Sequence, residues 1–143
     1  MNFFFDRCIP IALARMVSAL EVKFHKIVHH DADSRFNELT EDVQWMRAIG
    51  SDSPKPIVLS GDGRILKKSG EVNTLRELGW TFFLFGEDFE QMQYHLQAWK
   101  FMKAWPEVLR ECRKVRQASV FKVCTGSSQK IEFLNFTKDL PQK

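Results

Sequence analysis

The chain has 143 residues, 44% hydrophobic and 27% charged, which excludes disordered, collagen-like and coiled-coil proteins and favours one soluble domain with its own core. The formal net charge is only +3, but it is unevenly distributed: residues 1–90 carry 11 basic and 14 acidic side chains, whereas residues 91–143 carry 10 and 4. We therefore expect a single domain, residues 1–143, in which a basic tail (91–143) packs on an acidic core (1–90).

Up to residue 86, short apolar runs typical of buried strands alternate with helical patterns. In chain order these are a strand at 3–5, a helix at 10–20, a strand at 24–29, a helix at 40–49, a strand at 56–59, a helix at 72–78 and a strand at 80–85. Such an alternation predicts an α/β fold whose parallel central sheet is flanked by helices.

Local signals mark the ends of these elements. Pro10 suits the first turn of a helix, and Gly79 suits the end of one. Thr40 is the predicted N-cap of the second helix, which places Glu41 and Asp42 in its first turn, where acidic groups favour the helix dipole. Residues 31–38 form a predicted polar loop, and residues 60–63 a tight turn.

Beyond residue 86 the pattern becomes helical and then extended. Tyr94, Ala98, Phe101 and Trp105 form an apolar stripe at helical spacing, and Pro106 is expected to interrupt or restart the helix before a second run at 108–115. Residues 120–124 and 131–136 predict a β-hairpin. The sequence therefore predicts a helical and β-hairpin extension at the C-terminus.

Three cysteines at positions 8, 112 and 124 lack CxxC spacing and predict reduced thiols. The N-terminal apolar run is shorter than the hydrophobic region of a signal peptide, and no segment approaches the roughly 20 apolar residues of a membrane span. We expect a cytoplasmic protein without a membrane partner.

Three aspartates occupy similar places in successive β–α units. Asp6 follows the first strand, Asp62 follows the third, and Asp42 lies in the first turn of a helix. Side chains that leave the carboxyl ends of parallel strands meet at one edge of the sheet, so Asp6 and Asp62 should face a common crevice. Carboxylates held close together favour a hard divalent cation such as Mg²⁺ or Mn²⁺ between them. Each aspartate alone is equally typical of a turn or helix cap.

Five segments carrying these residues resemble, in order and spacing, PIN-like domains of the VapC45 type, which belong to a family of metal-dependent ribonucleases. They are Phe3-Phe4-Phe5-Asp6-Arg7-Cys8-Ile9-Pro10, Leu13-Ala14-Arg15, Thr40-Glu41-Asp42-Val43-Gln44-Trp45, Ser60-Gly61-Asp62-Gly63-Arg64-Ile65 and Gly79-Trp80-Thr81-Phe82-Phe83-Leu84. The resemblance covers roughly residues 1–105.

The resemblance implies an Mg²⁺-dependent endoribonuclease, with Mn²⁺ as a substitute, in which Asp6, Asp42 and Asp62 hold metal and direct water at the scissile phosphate. It also implies the toxin half of a toxin–antitoxin pair, with RNA and a cognate antitoxin as partners and a homodimer as a possible assembly. The family often has a fourth acid near the third, and either Glu41 or Glu71 is a candidate here. One metal with a second brought by RNA is the preferred arrangement.

Basic residues near the predicted site and on the tail are candidates for binding the RNA backbone. A solvated basic face is the alternative reading. The candidates are Arg64, Lys67, Lys68, Arg110 and Arg113. Trp99, Phe101 and Trp105 are suited to stacking on bases, although aromatic residues at this spacing usually belong to a core.

Other functions remain open or are disfavoured by the sequence. Haloacid-dehalogenase phosphatases need a second aspartate where this chain has Cys8, and receiver domains need an acidic pair before Asp6. Cys8 lacks the signature of a nucleophile. His25 and His29 lie on a predicted strand, where residues four apart are too distant to chelate one zinc ion. A PIN-like module that binds RNA or protein without cutting is the main alternative, followed by a metal-dependent phosphatase of small substrates.

Overall fold

A computed structural model describes residues 1–52, 54–79, 81–86, 88–115, 119–125 and 130–134. Its strands are β1 (Asn2–Phe5), β2 (Lys26–His29), β3 (Ile57–Ser60), β4 (Phe82–Phe85), β5 (Val120–Val123) and β6 (Ile131–Leu134). Its α-helices are α1 (Ile11–Glu21), α2 (Asp42–Gly50), α3 (Ser69–Leu78), α4 (Asp88–Gln91) and α5 (Tyr94–Lys114). Two 3₁₀ helices span His30–Ala32 and Gly63–Lys67.

The strands form one six-stranded sheet in the order β2-β1-β3-β4-β5-β6. The first five strands in this order run parallel, and β6 pairs with β5 in the antiparallel direction. The predicted α/β fold with a helix-flanked parallel sheet is therefore confirmed. The hairpin strands are confirmed as well, whereas its turn at 126–129 and the chain after 134 lie outside the described residues.

Two hydrophobic cores cover the two faces of the sheet, because alternate strand residues point to opposite sides. Phe3 and Phe5 pack against α1 and α5, whereas Phe4 packs against α2 and α3 with its ring stacked on Trp45 at a centroid distance of 5.3 Å. All three phenylalanines of β1 are at most 2% exposed. This confirms the prediction that the first apolar run is buried on both faces.

Helix α5 contradicts the expected break at Pro106, which lies inside one continuous helix. Proline removes one backbone donor, but apolar residues on both sides of it keep the helix packed on the sheet. Phe101, Trp105, Val108 and Leu109 are all buried there. Trp99 points away from the core and is 54% exposed, with the Lys100 and Lys103 ammonium groups 4.6 and 5.0 Å from the centroid of its ring.

Several predicted boundaries also need correction. Residues 24 and 25 precede β2, β3 extends to Ser60, and α3 begins at Ser69 rather than at 72. Helix α4 has no predicted counterpart. Gly79 ends α3 with a φ of 68°, a left-handed conformation that glycine adopts without steric cost. None of the helices in the described part of the chain is long and apolar enough to cross a bilayer.

Candidate functional site

A cleft of about 490 Å³ opens at the carboxyl edge of the parallel strands. It is formed by the loops after β1 and β3 and the start of α2, as expected for an open α/β sheet. The structure brings most of the sequence-predicted site residues to this cleft: Asp6, Glu41, Asp42, Asp62, Arg64, Lys68 and Glu71 all line it.

Asp6 is the most buried carboxylate of the cleft, with 1% exposure. Its Oδ2 accepts a hydrogen bond from Ser60 Oγ at 2.7 Å, and its Oδ1 accepts one from the backbone N–H of Arg7 at 2.7 Å. Burial raises the pKa of Asp6 to about 6, and the negative charge of Asp42 contributes to the same shift. The hydrogen bonds from Ser60 and Arg7 therefore offset only part of the free-energy cost of burying the ionised Asp6 carboxylate.

Asp62 forms an ion pair with Arg64 across the rim of the cleft. Arg64 Nε donates to Asp62 Oδ1 at 2.8 Å and Nη2 donates to Oδ2 at 2.9 Å, while the backbone N–H of Arg64 also donates to Oδ1 at 3.0 Å. Although burial acts to raise it, these bonds and the guanidinium charge hold the pKa of Asp62 below its ordinary value. Asp62 is consequently ionised at neutral pH.

Asp42 is positioned from the core side by Trp45, one turn along α2. The Trp45 Nε1–H donates to Asp42 Oδ1 at 3.0 Å. The predicted N-cap Thr40 is wrong, because Glu41 is the N-cap and its backbone N–H donates to Gln44 Oε1 at 2.9 Å in a capping box. Glu41 thus caps α2 and also lines the cleft.

The cleft also contains a second ion pair, on the α3 side. Lys68 Nζ lies 3.7 Å from Glu71 Oε1, and both residues line the cleft. Lys67 is exposed on the preceding 3₁₀ helix and does not line it. Of the basic residues predicted near Asp62, Arg64 and Lys68 are thus the two that face the cleft.

Arg110 and Arg113 lie far from these residues, at the opposite edge of the sheet. Both are near the end of α5, which leads into the start of parallel strand β5. The charge of Arg113 acts on His25, which directly precedes β2 at that same edge. Arg110 pairs with Glu107 at 2.6 Å. The basic run of α5 therefore lies at a different edge of the sheet from the acidic cleft, and its contact with RNA stays a prediction.

Two residues near the cleft were missed by the sequence analysis. Ser60 links Asp6 to the backbone of Asp62, whose N–H donates to Ser60 Oγ at 3.1 Å. Glu90 of α4 is within hydrogen-bonding reach of the Cys8 thiol. A methyl group at Gly61 would lie 3.6 Å from Glu90 Cγ. The sequence does indicate Glu90 by its place in the chain, because it follows β4 much as Asp6 follows β1.

The cysteine and histidine residues near the cleft have structural roles. Burial, followed by the charge of Asp6, raises the pKa of the Cys8 thiol, which disfavours the thiolate a nucleophile needs. His29 Nε2 hydrogen-bonds the carbonyl of Ile9 at 2.5 Å, while its Nδ1 accepts from the backbone N–H of Asp31 at 3.1 Å. His30 stacks on Phe36.

The donors of the cleft suit a hard divalent cation, since carboxylate oxygens are the ligands that Mg²⁺ and Mn²⁺ prefer. In the arrangement described, however, no group of three His, Cys, Asp or Glu side chains within the described residues is close enough to hold a metal ion. The ligand chemistry therefore fits a cation, while the carboxylates around the cleft are separated and partly engaged by protein donors.

A family model for the PIN-like domain matches residues 1–87, which is more than half of the chain. The chain belongs to the PIN-like domain family. PIN domains are generally nucleases and typically use divalent metals, in keeping with the carboxylate chemistry of the cleft. Searches of curated proteins and of solved structures gave no match. The PIN-like match includes Asp6, Asp42 and Asp62 and ends before α4, so Glu90, α5 and the hairpin lie beyond it.

Proposed function

We propose that this PIN-like domain is a metal-dependent endoribonuclease that hydrolyses RNA phosphodiester bonds. The observation that carries the proposal is the convergence of Asp6, Asp42 and Asp62 on one cleft at the carboxyl edge of the sheet. The three residues come from separate elements of the chain. A shared role explains their convergence better than three unrelated turn or cap residues do.

In this proposal Asp6, Asp42 and Asp62 hold Mg²⁺, for which Mn²⁺ substitutes. A bound divalent ion would lower the pKa of a water molecule and neutralise charge on the phosphate. Glu41 and Glu71, which also line the cleft, are the predicted additional acids, and Glu90 is a third candidate from α4. The carboxylates of the chain supply the negative charge that concentrates the cation.

The remaining side chains of the cleft position substrate and ligands. Ser60 fixes the orientation of the Asp6 carboxylate through its 2.7 Å hydrogen bond. Arg64 and Lys68 carry positive charge at the rim, where an RNA phosphate would lie. Lys67 is close to them along the chain. Arg110 and Arg113 would contact RNA only if it extended to the opposite edge of the sheet.

We further propose the biological role of a toxin in a type II toxin–antitoxin pair, of the VapC45 type. This role rests on the five-segment resemblance, which covers roughly residues 1–105, and on the family membership of the chain. It implies a cognate antitoxin that silences the nuclease, and a homodimer is a compatible assembly. Co-expression with the product of an adjoining small reading frame tests this role by rescue of growth.

A second candidate function is a PIN-like module that binds RNA or a protein without cutting it. The observation favouring it is the absence, within the described residues, of any three-ligand metal group. The engagement of Asp62 by Arg64 favours it as well. In this case the cleft would bind through its polar rim, and the carboxylates would have no role in hydrolysis.

Incubation of the purified protein with end-labelled structured RNA and Mg²⁺ distinguishes the two functions. We expect cleavage that is lost with EDTA and in both Asp6→Asn and Asp62→Asn. Asp52→Asn removes a carboxylate outside the cleft and should cleave normally. Cleavage that persists in both cleft variants would contradict the site. RNA binding without cleavage by any form would favour the binding module.

A further inference from the structure

The contact between Arg64 and Asp62 is the most asymmetric ion pair of the cleft. The Arg64 side chain is 76% exposed, whereas that of Asp62 is 9% exposed. The two residues are only two positions apart, and the guanidinium folds back so that both oxygens of the carboxylate accept hydrogen bonds from it. A solvent-exposed guanidinium is thus paired with a mostly buried carboxylate that lines the cleft.

This arrangement conflicts with simultaneous metal binding by Asp62. Asp62 Oδ1 already accepts two hydrogen bonds from Arg64 and Oδ2 accepts one, so a dication would compete for the same lone pairs. It would also be repelled by the guanidinium charge. An ion pair with a solvent-exposed partner contributes little net stability, because water and salt screen it. Displacement of Arg64 should therefore be easy.

We propose that Arg64 is an internal cation that exchanges with the divalent metal on Asp62 and, once displaced, binds a phosphate oxygen of the RNA. The inference rests on the proposed nuclease function and adds a coupling between its two ligands. Arginine suits the second role because its planar fork donates two parallel hydrogen bonds to a phosphate. Metal binding would thereby release the group that recognises the substrate.

The other cations of the cleft are held by other partners. Lys68 Nζ lies 3.7 Å from Glu71 Oε1, and Arg7 Nη1 donates to the carbonyl of Glu38 at 2.7 Å. Neither forms a bidentate contact with Asp62. Arg64 is therefore the residue whose removal should change metal and RNA binding in opposite directions.

The test measures both affinities in Arg64→Gln. Titration with Mn²⁺ alone, followed by electron paramagnetic resonance, should show binding about two- to fivefold tighter than in the wild type, the range expected for losing a screened ion pair. Binding of a labelled RNA in Ca²⁺, followed by fluorescence anisotropy, should weaken about tenfold. Arg64→Lys, which keeps the charge without the fork, should fall between the two in both measurements.

Arg47→Gln is the matched control. Arg47 is an exposed arginine on α2, 3.5 Å from Glu77 and outside the cleft, so its loss changes the net charge equally. Mn²⁺ binding by Arg64→Gln that is no tighter than by Arg47→Gln would overturn the exchange. Measurable Mn²⁺ binding of equal affinity in wild type and Asp62→Asn would instead overturn the proposed metal site. If Arg64→Gln bound Mn²⁺ and the wild type did not, Arg64 would be shown to block the metal from Asp62 completely, which supports the exchange.

Discussion

Ser60 Oγ donates a 2.7 Å hydrogen bond to Asp6 Oδ2 and accepts a 3.1 Å hydrogen bond from the backbone N–H of Asp62. The hydroxyl thereby joins the carboxyl ends of two neighbouring parallel strands, β1 and β3, at the floor of the cleft. Ser60 is fully buried, so these bonds are not replaced by water when the side chain is truncated. It is a positioning residue for the carboxylate of Asp6.

Ser60→Ala should lower the free energy of unfolding by about 2 kcal/mol, because it removes a buried hydrogen bond to a charged group. It should also raise the pKa of Asp6, which the Ser60 hydroxyl lowers. Chemical denaturation measures the first effect, and the pH dependence of Mn²⁺ binding measures the second.

Ser51→Ala provides the control for that variant, because the Ser51 hydroxyl bonds the carbonyl of Arg47 on the protein surface. Its unfolding free energy should change by less than about 0.5 kcal/mol. A Ser60→Ala protein with an unchanged pH profile would show that the hydroxyl does not position Asp6.

Asp6→Asn should change the pH dependence of stability in the metal-free protein. Since the pKa of Asp6 is raised from 3.8 to about 6, the folded state favours the protonated form, and wild-type stability falls as pH rises between these values. A shift of this size corresponds to about 3 kcal/mol. Asp6→Asn lacks this ionisation, so its free energy of unfolding relative to that of the wild type should rise by about 3 kcal/mol between pH 4 and pH 7.

Denaturant unfolding in EDTA at several pH values measures this relative gain. Glu77→Gln, an exposed change on α3, should leave the shape of the wild-type profile intact. Parallel profiles for wild type and Asp6→Asn would mean that Asp6 titrates as an ordinary surface carboxyl.

Mg²⁺ binding should strengthen as pH rises through about 6. A cation needs the ionised form of Asp6, whose pKa is about 6 in the metal-free cleft, so protons compete with the metal below that value. The increase in melting temperature produced by Mg²⁺ should be small at pH 5 and reach a plateau above pH 7. A shift that does not depend on pH would indicate that the ion binds away from Asp6.

Trp45→Phe should weaken metal binding, whereas a variant that destabilises the same core without contacting the cleft should not. The phenyl ring can still stack on Phe4, but the 3.0 Å hydrogen bond from Nε1 to Asp42 is lost. We expect a destabilisation of about 1–3 kcal/mol and metal affinity several-fold weaker. Leu75→Ala trims the same core without contacting the cleft and should leave metal affinity unchanged. Equal metal affinities in all three proteins would exclude a positioning role for Trp45.

Removal of both Arg110 and Arg113 should change cleavage of a short RNA by less than twofold, because the two residues lie at the edge of the sheet opposite Asp6. Gel-based cleavage rates for the double glutamine variant test this. A tenfold loss would place part of the RNA path on the far edge, as the charge of the tail suggested at the level of sequence.

Much of the fold is readable from the sequence because hydrophobic burial imposes a pattern on it. The run Phe3-Phe4-Phe5 contains no polar residue, so both of its faces must be covered, as they are in a helix-flanked parallel sheet. Pro106 was misread because its lost backbone donor is a local signal, whereas the packing of Phe101 and Val108 on the sheet is a tertiary one. The cap of α2 is Glu41 rather than Thr40 for a local reason, because Thr40 Oγ1 accepts a hydrogen bond from the backbone N–H of Asn37 instead.

The sequence by itself determined the sheet, its parallel direction and the arrival of Asp6 and Asp62 at one edge, because strand ends are fixed by where the apolar runs stop. Only the tertiary structure decided which partners those carboxylates have. Ser60 bonds Asp6, Trp45 bonds Asp42 and Arg64 bonds Asp62. The Ser60–Asp6 bond depends on the register of β1 and β3, whereas the two local pairs depend on side-chain direction, and hydrophobic spacing encodes neither. The tertiary structure also places the basic end of α5 at the edge of the sheet opposite the cleft.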